Sequence, residues 1–363
     1  MNAPRKRSPF LAIYAAAALS AAYLLLALII PSPSPAARAE IAEASRLMSQ
    51  ATAALKDCRI SRGLAIDRET DPNGTGLIGE ERSPITTSAG RLEAKRTTTN
   101  PAFAGLIVSL LHEAGARRGD VVAVGASSSF PALVVATLAA AAAMRVEPLV
   151  ISSLGASEWG GNIPAFSWLD MEDCLREKGL IDVLPVARAV GGEEDVGRDM
   201  SPEGRALLTE RIRTGGVPFL EESDLERNVA RRMALYRERA GARPIKAFIN
   251  VGGSWANMGT DAEVLKVEPG LARRVFVPPP PRRGVIQAMA AAGIPVIHLL
   301  NVKGLCERYG LPWDPRPLPR PGEGGSPAPA VLRGAIPAPL TAAYIALVAA
   351  ILLAGRRRLH APS

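Results

Sequence analysis

Lys95-Arg96 stands in a stretch crowded with hydroxyls, Thr86-Thr87-Ser88 before it and Thr97-Thr98-Thr99-Asn100 after. An ammonium and a guanidinium side by side can hold carboxylates, arginine through a two-point fork; a solvated turn is the plainer use of such a pair. Three further segments place small, hydroxylated residues directly after short apolar runs: Gly125-Ala126-Ser127-Ser128-Ser129, Ser152 to Ser157, and Asn250-Val251-Gly252-Gly253-Ser254. In parallel α/β sheets, ligands bind beyond the carboxyl ends of strands. Backbone N–H groups and helix dipoles meet there and favour phosphate or carboxylate. The candidate binding residues are therefore Thr86, Thr87, Lys95, Arg96, Ser127, Ser128, Ser129, Ser152, Ser153, Asn250, Gly252, Gly253 and Ser254. Ser and Gly are also ordinary helix caps, so any one loop alone has a structural explanation.

Gly125 to Ser129 resembles a nucleophile elbow, the sharp strand-to-helix turn that exposes a serine, although Ser129 replaces the final glycine of that pattern. A serine hydrolase of this kind needs a histidine base oriented by a carboxylate. Of His112, His298 and His360, only His298, in Val296-Ile297-His298-Leu299-Leu300, falls at a strand end. Asp170 and Asp261 could both orient it. The catalytic candidates are thus Ser127, Ser128, Ser129 and His298, and whether the chain is an enzyme stays open. A histidine among Val, Ile and Leu serves equally well as a hydrogen-bonded core residue. The loop Ser157-Glu158-Trp159-Gly160-Gly161-Asn162 and Trp168-Leu169-Asp170 add an aromatic wall. No Walker-type Gly-Lys-Ser/Thr or G-x-G-x-x-G follows a strand, and HExxH and CxxC are absent, so neither a nucleotide cofactor nor a metal is expected.

The elements that must position these residues read as an α/β fold, a mainly parallel sheet with helices on both faces. Strands are expected at residues 120–124, 148–151, 246–251 and 294–300, with helices at 36–55, 100–115, 131–144 and 281–293. Leu77 to Asn100 reads as a long loop with short strands. Gly191 to Gly241 is charged and helical, with helix starts at Ser201-Pro202-Glu203 and Ser223-Asp224-Leu225-Glu226, and could divide the domain into halves. Leu311 to Ala335 is dominated by proline and glycine and reads as an extended linker.

Phe10 to Ile30 and Ile336 to Gly355 are uncharged and apolar, each about the length that spans a bilayer. Arg5-Lys6-Arg7 precedes the first and Arg356-Arg357-Arg358 follows the second. Basic flanks stay in the cytoplasm. The expectation is two transmembrane helices in a bacterial inner membrane, with residues 1–9 and 356–363 inside and an extracytoplasmic domain at 31–310. A signal peptide cleaved near Ala37-Arg38-Ala39 is the rival reading of the first run.

The net charge of +8 mostly records those flanking clusters, since all 35 acidic residues lie between the apolar runs. The region between is near neutral, and nothing favours nucleic acid. Cys58, Cys174 and Cys306 are far apart; an oxidising exterior allows one disulfide with one thiol left over, and three small buried side chains is the plainer alternative.

Several strings resemble the bacterial poly-gamma-glutamate system protein family: Asn73-Gly74-Thr75-Gly76-Leu77-Ile78-Gly79-Glu80, Ala94-Lys95-Arg96-Thr97-Thr98-Thr99-Asn100-Pro101, Ser152-Ser153-Leu154-Gly155-Ala156-Ser157-Glu158-Trp159-Gly160 and Phe248-Ile249-Asn250-Val251-Gly252-Gly253-Ser254-Trp255-Ala256. The resemblance covers most of residues 40–315. It implies an accessory role in synthesis or export of the γ-linked glutamate polymer, with the synthase and its membrane subunits, membrane lipid and the anionic polymer as partners. It transfers no catalytic residue. The alternatives are a serine-dependent hydrolase or transpeptidase of γ-glutamyl bonds and a non-catalytic scaffold. A domain near neutrality can handle a polyanion only if its positive charge is local.

Overall fold

The computed structural model describes residues 10–29, 34–321 and 338–359. They form two compact units, one of Pro35–Pro327 and a smaller one from the two chain ends.

The smaller unit pairs α1 (Phe10–Ile29) with the last helix, α12 (Ala338–Leu359). Tyr23 stacks on Tyr344 with ring centroids 4.1 Å apart. Ser20 Oγ lies 2.9 Å from the Tyr344 hydroxyl, and Tyr23 bonds Thr341 Oγ1 at 2.9 Å. The expectation of two transmembrane helices is corrected here. Among the described residues, no helix is long and apolar enough to cross a membrane. The arginines expected to flank the second span instead continue α12. The inner-membrane localisation, with its extracytoplasmic domain, falls with the spans. The tails 1–9 and 360–363 and the linker beyond residue 321 lie outside the described residues, and Ala37-Arg38-Ala39 is inside a helix.

The larger unit begins with that helix, α2 (Pro35–Ser61), which buries Ile41, Ala44, Met48, Ala51 and Leu55 at helical spacing. There follow α3 (Leu92–Thr98), α4 (Ala102–Glu113), β1 (Val121–Ser127), α5 (Pro131–Met144) and β2 (Glu147–Ser153). A two-residue hairpin, β3 (Asn162–Ile163) with β4 (Phe166–Ser167), leads to α6 (Trp168–Glu177) and β5 (Ala187–Ala189). The charged stretch folds as α7 (Pro202–Thr214), capped by Ser201, and α8 (Leu225–Ala240), capped by Asp224. The chain then forms β6 (Ile245–Val251), α9 (Trp255–Met258), β7 (Gly270–Ala272), α10 (Val285–Ala291), β8 (Val296–Leu299) and α11 (Val302–Tyr309).

Six strands make one sheet in the order β5-β2-β1-β6-β8-β7, all parallel except β7, which runs antiparallel to β8. Alternation along β1 explains the two layers. Val122, Val124 and Ala126 face a core with α2, α4 and α5, whereas Val121 and Ala123 face another built with α8 and α10. The register places Ser127 opposite Ser153 and Gly125 opposite Asn250, so three expected ligand loops leave the same edge of the sheet.

Residues 77–100 depart from the expected loop with short strands, because α3 forms within them. Thr97, Thr98 and Thr99 are poor helix formers, but each hydroxyl donates back to a carbonyl three or four residues earlier, at 2.6–2.7 Å. The first residues of the expected linker are packed as well: Leu311 is buried, and the Asp314 amide donates to Thr97 Oγ1 at 2.9 Å.

Two features tie distant segments together. Cys58 on α2 and Cys174 on α6 form a disulfide, leaving Cys306 as a buried free thiol. Arg232 on α8 is fully buried and bonds Asp195 at 2.5 Å, while Asn228 and Ser153 complete the network around that carboxylate. Removing one partner of a buried pair leaves a charge uncompensated. Asp195→Asn is expected to lower unfolding free energy by about 3–5 kcal/mol, read from urea midpoints. Reducing the disulfide, which links residues 116 apart in sequence, should cost about 2–5 kcal/mol in the same assay.

Candidate functional site

The loop after β2 is the keystone of the site, and the segment 79–91 fastens it. Thr87 donates its amide to the Ala156 carbonyl at 2.9 Å, Glu158 to Ser88 at 2.9 Å and Trp159 to Glu80 at 2.8 Å. The fully buried Asn162 bonds both backbone groups of Glu80 and also Thr86 Oγ1. From the other side, the turn after β1 receives the same loop. Ser157 donates its amide to Ser129 Oγ at 3.0 Å, and Gly161 donates to the Ser128 carbonyl at 2.8 Å. Gly160 makes this approach possible, since a Cβ there would sit 2.8 Å from the Ser129 carbonyl oxygen.

Lys95 of α3 reaches into this junction and is only 3 % exposed. Its ammonium nitrogen lies 2.7 Å from Ser157 Oγ, bonds the Ser129 carbonyl and sits 3.7 Å from the centroid of the Phe130 ring. Among the described residues, no carboxylate is one of its hydrogen-bond partners. Burial without a counter-charge pushes its pKa down to about 7. These groups open into a cavity of about 350 Å³, at the small end of ligand pockets. Arg91, Lys303, Gly253, Leu300 and Trp313 line its remaining walls, and no acidic side chain among the described residues does. A larger cleft of about 640 Å³ beside α7, lined also by Val190 just past β5, mixes Arg198, Arg205 and Arg213 with Glu210 and Glu221.

The structure divides the residues singled out from the sequence. Lys95, Ser129 and Gly253 share the cavity. Arg96 does not join them, because its guanidinium forks onto Asp314 at 2.8 and 2.7 Å, which also holds the Asp314 carboxyl below the usual range. Thr86 receives the Ser83 amide and Asn162, while the Thr87 methyl packs near Gly155. Ser128 donates to the Ser153 carbonyl at 3.0 Å, and Ser127 Oγ receives the Ser129 amide. Ser153 belongs to the Arg232 network. Ser152 Oγ and Ser254 Oγ are buried with no hydrogen-bond partner among the described residues. Gly252, at φ +76°, turns the chain beside Ser127, where a Cβ would lie 3.0 Å from that residue's own.

His298 is 3 % exposed and pairs through Nδ1 with the Asn250 amide at 3.1 Å, while that amide also donates to the Gly252 carbonyl. Burial lowers its pKa to about 4. It stays neutral at physiological pH and links β6 to β8. The serine beside a buried base is Ser157, and that base is Lys95. Sequence reasoning placed Ser157 in the strand-end segment Ser152 to Ser157 but did not name it as a site residue, because nothing in its local string distinguishes it from neighbouring small residues; only the contact with Lys95 does. Among the described residues, no cluster of three or more His, Cys, Asp or Glu side chains is placed to hold a metal ion.

These features define an α/β protein with a basic cavity at the carboxyl edge of a mainly parallel sheet. Comparison of the chain with protein-family models, with curated proteins and with solved structures finds no match.

Lys95 carries its own pH signature. An unfolded lysine holds its proton up to about pH 10.4, whereas the buried amine releases it near 7. Between those values the unfolded chain binds the extra proton, so folding stability rises with pH. Urea midpoints of wild type relative to Lys95→Met should climb between pH 7 and 9.5; a constant difference would show that the buried amine keeps its proton.

Proposed function

We propose that this chain binds a short stretch of the γ-linked glutamate polymer in the cavity beside Lys95 and serves the synthesis or export of that polymer. One observation carries the reading: the cavity wall has Arg91, Lys95 and Lys303 and, among the described residues, no acidic side chain. Each glutamyl unit of such a polymer presents a free carboxylate, which a guanidinium or ammonium in a partly desolvated wall recognises. The near-neutral middle of the chain is no obstacle, because this positive charge is concentrated where the strands end. The strings that resemble the poly-gamma-glutamate system family coincide with this site, since Lys95, Ser157 and Gly253 all fall within them. The synthase and export subunits are the partners that this reading implies.

Calorimetric titration of the full chain with short γ-glutamyl oligomers tests it. Binding should weaken with added salt, and Arg91→Ala with Lys303→Ala should reduce affinity by about tenfold or more, or ~1.4 kcal/mol. Absence of binding, or equal affinity in the double variant, would reject the proposal.

A further inference from the structure

We propose that Ser157 and Lys95 form a nucleophile–base pair that cleaves or transfers acyl groups of carboxylate-bearing amides, with Ser157 Oγ as nucleophile and the neutral Lys95 amine as its base. The substrate class rests on the binding reading above; the chemistry rests on the pair's own geometry. The 2.7 Å contact is within the reach a general base needs, and both residues line the cavity. The Ser129 carbonyl can only accept, so it takes an N–H of Lys95. Toward Ser157 Oγ the ammonium form of Lys95 also donates; the neutral amine keeps a lone pair, and the hydroxyl, which can donate as well as accept, then turns its proton toward it.

Desolvation supplies that neutral amine near physiological pH. The charged groups around the pair do not reverse this. Arg91 and Lys303, on the walls contributed by the segment before α3 and by α11, are of like sign. Glu158 accepts from the Gly90 amide and pairs with Arg82, and Arg96 is committed to Asp314. Serine–lysine pairs are one of the forms that nucleophilic serine chemistry takes on unrelated folds.

The cycle balances with water as the only co-reactant. Ser157 Oγ bonds to the acyl carbon while its proton passes to Lys95 Nζ. The acyl C–N bond breaks and the amine leaves with the proton returned by Lys95. Water then attacks the ester, gives its proton to Lys95, and the carboxylic acid departs as Ser157 recovers its hydrogen. An incoming amine in place of water gives transfer instead of hydrolysis.

The test treats the full chain with a fluorophosphonate and locates the adduct by peptide mass spectrometry, alongside the γ-glutamyl oligomer titration. Labelling of Ser157, absent in Ser157→Ala and slowed about 10²–10⁴-fold in Lys95→Met, supports the pair. So does a labelling rate that rises through an apparent pKa near 7 in wild type and loses that inflection in Lys95→Met. Circular dichroism establishes that each variant is folded. Labelling at Ser127, Ser128 or Ser129, or no labelling of folded wild type, overturns the proposal. Oligomer binding without labelling leaves the binding reading standing and removes the catalytic one. Labelling without oligomer binding keeps the pair and removes γ-glutamyl chains as its substrate.

Discussion

A lysine amine taken out of water has to be given partners by the protein, and this requirement organises one end of the sheet. Lys95 comes from the short helix α3, its carbonyl acceptor from the turn after β1, its hydroxyl partner from the loop after β2, and its aromatic cover from Phe130. Three separate pieces of chain are held to one small volume, since Phe130 follows Ser129 in the same turn. Leaving that amine unpaired would cost several kcal/mol of lost solvation, so each contact is strongly selected by folding. The remaining cost emerges as a lowered pKa, which is how burial becomes chemistry.

That arrangement depends on a second one. Parallel pairing of β1 with β2 and with β6 fixes the heights at which their loops emerge, and a slip by one residue would invert every side chain. The loop after β2 is then gripped from both sides, by the segment 79–91 and by the turn at Ser128 and Ser129. Behind it, Arg232 and Asp195 hold Ser153 within a fully buried network. Arginine suits that position because its guanidinium stays charged and offers several fixed donors. On the opposite face, the disulfide ties α2 to α6 and so steadies the helix that follows the same loop.

Much of the fold was legible in order along the chain. Continuous apolar runs such as Val121 to Val124 mark strands buried on both faces, and Ser201-Pro202 marks a helix start that Ser201 caps in the structure, whereas within the expected capping box Ser223 to Glu226 the cap falls on Asp224 and not on Ser223. What misled were segments whose local composition is ambiguous. Thr97-Thr98-Thr99 favours strand by propensity but becomes helical once each hydroxyl finds a carbonyl of its own helix. Lys95 and Arg96 look equivalent in the sequence, yet α3 sends one into the cavity and the other to Asp314. The apolar ends formed helices, but these pair with each other through tyrosine, serine and threonine, and none among the described residues is long and apolar enough to cross a membrane.

Periodicity and turn chemistry, which act between near neighbours, determined by themselves the alternation of strands and helices and the loops at which a ligand would be sought. Tertiary structure alone decided which residues of those loops meet. Lys95 and Ser157 are 62 positions apart, and their encounter depends on sheet order, register and the packing of Gly160 against Ser129. It also depends on burial, because an amine that would hold its proton in water releases it only once the surrounding chain has excluded that water. No local string encodes such an environment, for it exists only after the whole sheet has closed around it.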